Sequence, residues 1–227
     1  MQADGNIAVV STPNATRSYG QLCGIAAGLD VIGDRWALLI VRDLMIGPLR
    51  FGDLAEGLPG VGTNTLTARL KHLESSGVIA RQLLAAPERG TVYELTEYGR
   101  ELEPILLALG RWGTRSMGRL PDDIVARSRW LVAALLAFHD DGPSAEPTVW
   151  ELRLRDGVYT ARADGHTFAV QAGPSGGADV TATVDDQDLH HLLTGQLSVG
   201  EALASGALVL DGSPEEFQRL LDLCPFG

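Results

Sequence analysis

The sequence predicts an α+β protein in two domains, and three observations predict it. Residues 19–120 carry apolar side chains at helical spacing, interrupted by one hairpin pattern. Residues 148–184 alternate in strand fashion around Asp156-Gly157 and Asp164-Gly165, both hairpin signals, before residues 185–223 return to helices around one short strand. Charge divides at the same place: residues 17–120 hold 12 basic and 11 acidic side chains, and residues 121–227 hold 6 and 17. Its 227 residues suit one or two domains, and with a 45% apolar composition the chain can bury a core. Its net charge of −11 argues against nonspecific coating of nucleic acid or membrane, yet the near-neutral first half leaves room for a local face that meets phosphate.

The apolar runs WALLIV (36–41) and LVAALLAF (131–138) fall far short of the roughly 18 residues that a membrane-spanning helix needs. The first residues show no basic region followed by an apolar core, so no signal peptide is expected. Cys23 and Cys224 lie in different halves, which fits a reducing, cytoplasmic setting better than a disulfide framework. Residues 1–18 read as a flexible arm. Residues 121–147 read as a connecting amphipathic helix over 121–139 followed by the linker DDGPSAEP (140–147).

Within the first half, RWALLIVRDLMIG (35–47) spaces Leu38, Leu39, Val41, Leu44 and Met45 as a helix, and Gly47-Pro48 ends it. RFGDLAEGL (50–58) is a short second helix, LPGVG (58–62) a tight turn, and TNTLTARLKHLESSG (63–77) a third helix stopped by Gly77. Leu66, Leu70 and Leu73 must face the core, so Asn64, Thr67, Ala68 and Lys71 occupy the opposite face. Short, polar, lightly basic side chains suit a helix that enters a major groove. VIARQLL (78–84) and TVYEL (91–95), joined by AAPERG (85–90), form a hairpin with Arg89 at its tip. Such a hairpin after a recognition helix is a wing, able to carry Arg89 to phosphate or a minor groove. Thr96 caps a helix over 96–118, whose Leu102, Ile105, Leu106, Leu109 and Trp112 exceed the needs of a small domain and predict a dimerising helix.

GDRWALLIVRDL (33–44), GPLRFGDL (47–54), LPGVGTNTLTARLKHLESSGVIAR (58–81), TVYELTEYGREL (91–102) and ILLALGRWG (105–113) together resemble the HxlR family of bacterial transcriptional regulators, relatives of the MarR regulators. The resemblance covers about residues 19–118. It implies a dimeric winged helix-turn-helix domain, assigned here to 19–120, that binds an inverted-repeat operator of double-stranded DNA. The recognition helix falls on 63–75 and the wing on 83–92. The family's Cys-Pro at the start of the first helix is Cys23-Gly24 here. Some members sense oxidants or electrophiles through that cysteine, which implies a redox role for Cys23 that competes with an ordinary small, buried side chain.

In the second half, Asp185 caps a helix ended by Leu-Thr-Gly (193–195), and Ser198 caps another that reaches Ser205. GALVLDG (206–212) is expected as a buried strand, and Ser213-Pro214 with Glu215 and Glu216 opens a last helix. A strand meander, helices, one strand and a terminal helix resemble the sterol-carrier-protein-2-like α+β fold over about 148–223, within a domain assigned to 148–227. That resemblance implies an apolar cavity able to hold a hydrophobic small-molecule effector. Trp150, Leu152, Phe168, Leu189, Leu192, Leu193, Leu197 and Leu203 are its candidate lining, and the same residues read equally well as plain core.

Thr63, Asn64, Thr65, Thr67 and Lys71 taken alone are a solvated helix face. Together with Arg50 before the second helix and Arg89 on the wing, they become a DNA surface, with Arg50, Lys71 and Arg89 serving phosphate or the minor groove and Asn64 and Thr67 reading bases. Arg69, on the flank, either contacts DNA or pairs with Glu74, and both readings stay open. Asp186 and His190 stand four apart on a helix, but no further ligand accompanies them, so no metal, cofactor or catalytic set is expected. GPSGG (173–177) lacks the lysine of a phosphate loop. The sequence therefore points to a homodimeric, non-enzymatic DNA-binding regulator. The alternatives are a lipid carrier whose winged helix only dimerises and a thiol-based sensor.

Overall fold

The computed structural model describes residues 18–86, 89–116, 126–139, 146–164 and 167–225. Residues 1–17 of the expected arm, 121–125 of the expected connecting helix, 140–145 of the linker and Gly165 of the second hairpin signal lie outside them. The chain divides into two compact units. One joins the residues up to Val41 with Leu49–Arg100, and the other joins Arg42–Pro48 with Glu101–Gly227.

In the first unit, helix α1 spans Gly24–Ile32 and begins after Cys23, whose backbone is extended. Helix α2 spans Ala37–Met45. The two-residue strand β1 (Leu49–Arg50) leads into α3 (Phe51–Gly57), where the Asp53 carboxylate accepts the Arg50 N–H at 2.9 Å and so satisfies a donor at the helix start. A turn in which the Val61 N–H donates to the Leu58 carbonyl connects α3 to α4 (Thr63–Ser75). Strands β2 (Ile79–Leu84) and β3 (Gly90–Leu95) form the hairpin, and β1 pairs with the outer side of β3, giving the sheet order β1-β3-β2, all antiparallel. Leu66, Leu70 and Leu73 of α4 are buried as their spacing requires, as are Ile40, Leu54 and Ile79.

The expected single helix over 96–118 is instead two, α5 (Glu97–Arg100) and α6 (Glu103–Thr114), and 117–118 lie outside the described residues. Pro104 explains the break. It has no N–H to give to a carbonyl four residues back, and it disfavours helical backbone at the residue before it. Thr96 caps α5 as expected, its Oγ accepting the Gly99 N–H at 3.0 Å and donating to the Gly77 and Val78 carbonyls. Gly99 is required there, because a Cβ would stand 2.0 Å from the Val78 carbonyl oxygen.

The second unit holds α6, α7 (Ser128–Phe138), strands β4 (Thr148–Leu154), β5 (Gly157–Ala163), β6 (Phe168–Ala172) and β7 (Val180–Val184), helices α8 (Asp186–Leu193) and α9 (Val199–Ser205), strand β8 (Leu208–Asp211) and helix α10 (Pro214–Asp222). The sheet order is β6-β5-β4-β7-β8. Three features depart from the sequence reading. The strands are not a simple meander, since β7 crosses back to pair in parallel with β4. The 173–179 loop makes that return, and Asp179 clamps its end by accepting the Val149 N–H at 2.8 Å and donating its own N–H to the Val149 carbonyl. Strand β8 is an edge strand with Val209 exposed, not a buried one. Helix α7, read as a connector, supplies Leu131, Val132 and Leu135 to the same hydrophobic cluster as Trp150, Leu152 and Phe217.

The caps fall where the side chains predicted them. Asp185 accepts the Gln187 N–H at 2.8 Å, Ser198 and Glu201 form a reciprocal capping box, and Ser213 accepts the Glu216 N–H at 3.2 Å. Buried Asp186 accepts both the Ser128 hydroxyl (2.6 Å) and the Ser128 N–H (3.1 Å), capping α7 from outside that helix.

The second half of α2 groups with this unit. The Arg129 guanidinium donates to the Asp43 carbonyl at 2.6 Å, and the Ala172 N–H donates to the Ile46 carbonyl at 2.8 Å. The Asp43 side chain is buried beside Arg42, and burial raises its carboxyl above its ordinary value against the opposing pull of Arg42, Arg129 and Arg127. The folded state therefore holds this proton more tightly than the unfolded chain. The resulting stability is complete at low pH and is lost as pH rises from 3.8 through the raised value. Asp43→Asn is expected to remove that slope and leave the variant less pH-dependent than the parent over that window, as measured by thermal unfolding across a pH series.

Candidate nucleic-acid interface

The leucine seam decides which face of α4 meets solvent. With Leu66, Leu70 and Leu73 buried, Thr63, Asn64, Thr65, Ala68 and Lys71 stand exposed, and Thr67 is half-buried. The Thr67 hydroxyl donates to the Thr63 carbonyl at 2.8 Å, a local bond that an incoming acceptor can replace. The N-terminal turn of α4 carries no acidic residue, and its N-cap Gly62 makes no side-chain bond to it. Backbone donors of that turn thus add to the polar face.

Arg50 and Arg89 come together. The Arg50 Nη1 donates to the Arg89 carbonyl at 3.0 Å, which ties the end of β1 to the wing. Gly90 makes this approach possible. Its φ of +144° suits glycine, and a Cβ at that position would stand 2.0 Å from Arg50 Nη1. The Arg89 side chain is exposed beside this bond, while Pro87 and Glu88 of the wing lie outside the described residues.

For Arg69 the structure adds a partner that neither sequence reading named. Its guanidinium forms an ion pair with the Asp34 carboxylate, and the pair is partly buried. His72, one turn further on, places Nε2 at 3.1 Å from the Val31 carbonyl and 3.3 Å from the Asp30 carbonyl. Asp34 and His72 were not singled out from the sequence. Their partners lie 35 and more residues away, and no local spacing signals such pairs.

The eight candidate lining residues of the second unit do converge. Trp150, Leu152, Leu189, Leu192 and Leu193 are buried in one cluster, and Phe168, Leu197 and Leu203 pack partly buried against it. Trp150 Nε1 donates to the Glu216 carbonyl at 2.8 Å, which fixes the indole between sheet and α10. Cys23 is exposed, whereas Cys224 is buried and burial pushes its thiol up to about 12. Among the described residues, no group of three or more His, Cys, Asp or Glu side chains is placed to hold a metal ion, and no helix is long and apolar enough to cross a membrane.

A turn-linked helix pair, a three-stranded wing and a polar face on the second helix define a winged helix-turn-helix protein. The family model described as HxlR-like helix-turn-helix matches residues 31–120. A Synechocystis protein named as an HTH-type transcriptional regulator is 38% identical over 95 residues, which are 42% of this chain and 70% of that protein. The HTH-type transcriptional regulator YdeP of Bacillus subtilis is 34% identical over 98 residues, 43% of this chain and 77% of the relative. A solved structure titled as a putative HTH-type transcriptional regulator, ytcD, is 37% identical and covers 43% of this chain and all of its own, with a TM-score of 0.40. The chain belongs to the HxlR-like helix-turn-helix family of DNA-binding transcriptional regulators. A second model, described as alkyl sulfatase C-terminal, matches residues 134–224.

Proposed function

We propose that the protein is a homodimeric repressor that reads an inverted-repeat operator with one α4 per half-site. The half-sites stand about one turn of DNA apart, roughly 34 Å. The observation that carries this reading is the exposed, acid-free N-terminal face of α4, with Arg50 and Arg89 bonded together at the wing. In this reading Asn64 and Thr67 contact base edges. Thr63 and Thr65 bond phosphate or sugar, and Lys71, Arg50 and Arg89 neutralise phosphates.

A gel-shift and footprint with the DNA upstream of the protein's own gene tests the reading, and the absence of a protected inverted repeat refutes it. Lys71→Ala is expected to weaken binding to all duplexes and lower the salt slope by about one unit. Asn64→Ala is expected to relax base preference at one position of each half-site at a cost of about 1–3 kcal/mol.

The dimer reading rests on α6. Ile105, Leu109 and Trp112 recur at i, i+4 and i+7 and are all exposed, so the described chain leaves an apolar stripe uncovered, which a second copy fits. Trp112→Glu is expected to yield monomers by analytical ultracentrifugation at concentrations where the parent is dimeric, and to abolish operator binding with it.

The finer reading of the second unit is a sterol-carrier-like domain that holds an apolar effector in the region of Trp150, Phe168 and Leu197. Its support is the convergence of the eight predicted lining residues on one cluster. The likeness of residues 134–224 to an alkyl sulfatase C-terminal region adds alkyl sulfates to the ligands worth testing. An effector must bind one DNA-binding state better than the other. A thermal-shift screen with fatty acids, alkyl sulfates and aromatic metabolites is expected to give a stabilising ligand that also changes operator affinity. Hits that leave operator affinity unchanged refute the effector role. Exposed Cys23 supplies the second reading, a thiol sensor, and a Cys23→Ser protein that still responds to quinones or peroxide eliminates it.

A further inference from the structure

The hydrophobic seam of α4 selects its outward face but fixes its roll and axial position poorly, because leucines slide over apolar neighbours at little cost. Polar bonds hold a helix in one place, since they have short range and direction. The side of α4 facing α1 carries two. Arg69 pairs with Asp34 in the turn that joins α1 to α2, and His72 Nε2 stands in bonding range of the Asp30 and Val31 carbonyls, which close α1.

That turn is itself held under strain. Trp36 has φ +82°, a left-handed conformation that is costly for a bulky side chain and persists only where surroundings impose it. The surroundings are on view. The Asp34 carbonyl accepts the Ala37 N–H at 3.1 Å and the Trp36 carbonyl accepts the Ile40 N–H at 2.9 Å, so the turn starts α2. The Trp36 ring reaches the Gly60 region of the turn before α4, where a Cβ would stand 3.9 Å from it. The 33–36 turn therefore touches the approach to α4 and, through Arg69, its middle.

We propose that Asp34, Arg69 and His72 are positioning residues that set the insertion angle of the recognition helix, making base readout dependent on the end of α1. The proposal rests on α4 being the base-reading helix. From Arg69 and His72 to Thr63 is a lever of roughly 9–13 Å at 1.5 Å per residue, so a tilt of about 5° moves the base-facing end by about 1 Å. That displacement is enough to break hydrogen bonds to base edges, while phosphate bonds from longer, mobile side chains adapt.

The test uses the full chain against the operator and against an unrelated duplex of equal length. Asp34→Asn and Arg69→Gln are each expected to lower operator affinity about tenfold while changing the affinity for the unrelated duplex less than about twofold. Asp34→Asn is the discriminating variant. It removes a negative charge, so electrostatics alone predicts tighter binding to every duplex, and an unchanged or improved operator affinity overturns the proposal. If Arg69→Gln weakens both duplexes alike and lowers the salt slope by about one, Arg69 is a phosphate contact and the proposal is overturned. Asp34→Arg combined with Arg69→Asp is expected to recover most of the lost discrimination. Operator losses that merely follow the thermal midpoint of each variant assign the pair a structural role and refute positioning. Hydrogen exchange of the free protein needs no DNA. Asp34→Asn is expected to speed exchange at least threefold in residues 63–72 and not in β2 or β3, and unaltered exchange in 63–72 overturns the proposal even if the choice of operator fails.

Discussion

The burial of Leu66, Leu70 and Leu73 against the first unit is the constraint on which the rest depends. Each fully buried leucine contributes about 1.5–3 kcal/mol relative to an exposed one, and the three stand on one stripe of a 13-residue helix. No rearrangement that turns the stripe to solvent is affordable in a domain of this size. The outward face is thereby fixed by what must be hidden, and the small polar side chains found there are free to be chosen for what they meet. Exposed Asn64 and Ala68 contribute little to stability at such positions, so a helix can be specialised for recognition without unfolding its domain.

Features that depend on neighbours in the chain were legible from the sequence, and features that depend on distant partners were not. The bounds of α4, the caps at Thr96, Asp185, Ser198 and Ser213, and the hairpin around Arg89 all follow from residues within a few positions of one another. Strand β1 escaped notice because two residues show no periodicity, and only pairing with Val92 and Tyr93 makes them a strand. The parallel return of β7 to β4 and the role of α7 as core likewise depend on partners far along the chain. The break before Pro104 was legible in principle. The strong apolar repeat of Leu102, Ile105, Leu106 and Leu109 continues across the break, because it has no bearing on a missing donor.

The candidate site shows the same division. Exposure of Asn64, Lys71 and Arg89 follows from helix and hairpin geometry alone. That Arg50 bonds the wing, and that Arg69 belongs to Asp34, required coordinates. The eight residues expected to line a cavity fall in or against one hydrophobic cluster. Five of the eight are fully buried in a packed cluster, so the same convergence that makes a binding site attractive also describes an ordinary core.

Charge gives the arrangement of α4 its importance. Residues 17–120 are almost neutral, with 12 basic against 11 acidic side chains, and several of the basic ones also bond within the protein. Arg42 is paired with Asp43, Arg69 with Asp34, and Arg50 is bonded to the wing backbone. A first half so close to neutral gains little affinity from general attraction to DNA, and the acidic second half lowers that attraction further. Under the proposed reading such a protein discriminates by fit. When phosphate attraction is weak, a misplaced recognition helix has little to fall back on, and the energy of binding must come from a few short-range bonds made in correct register. Under the proposed reading, side chains that touch no base, such as Asp34 and His72, then bear on specificity as directly as those that do, because they decide whether the base-facing bonds can form.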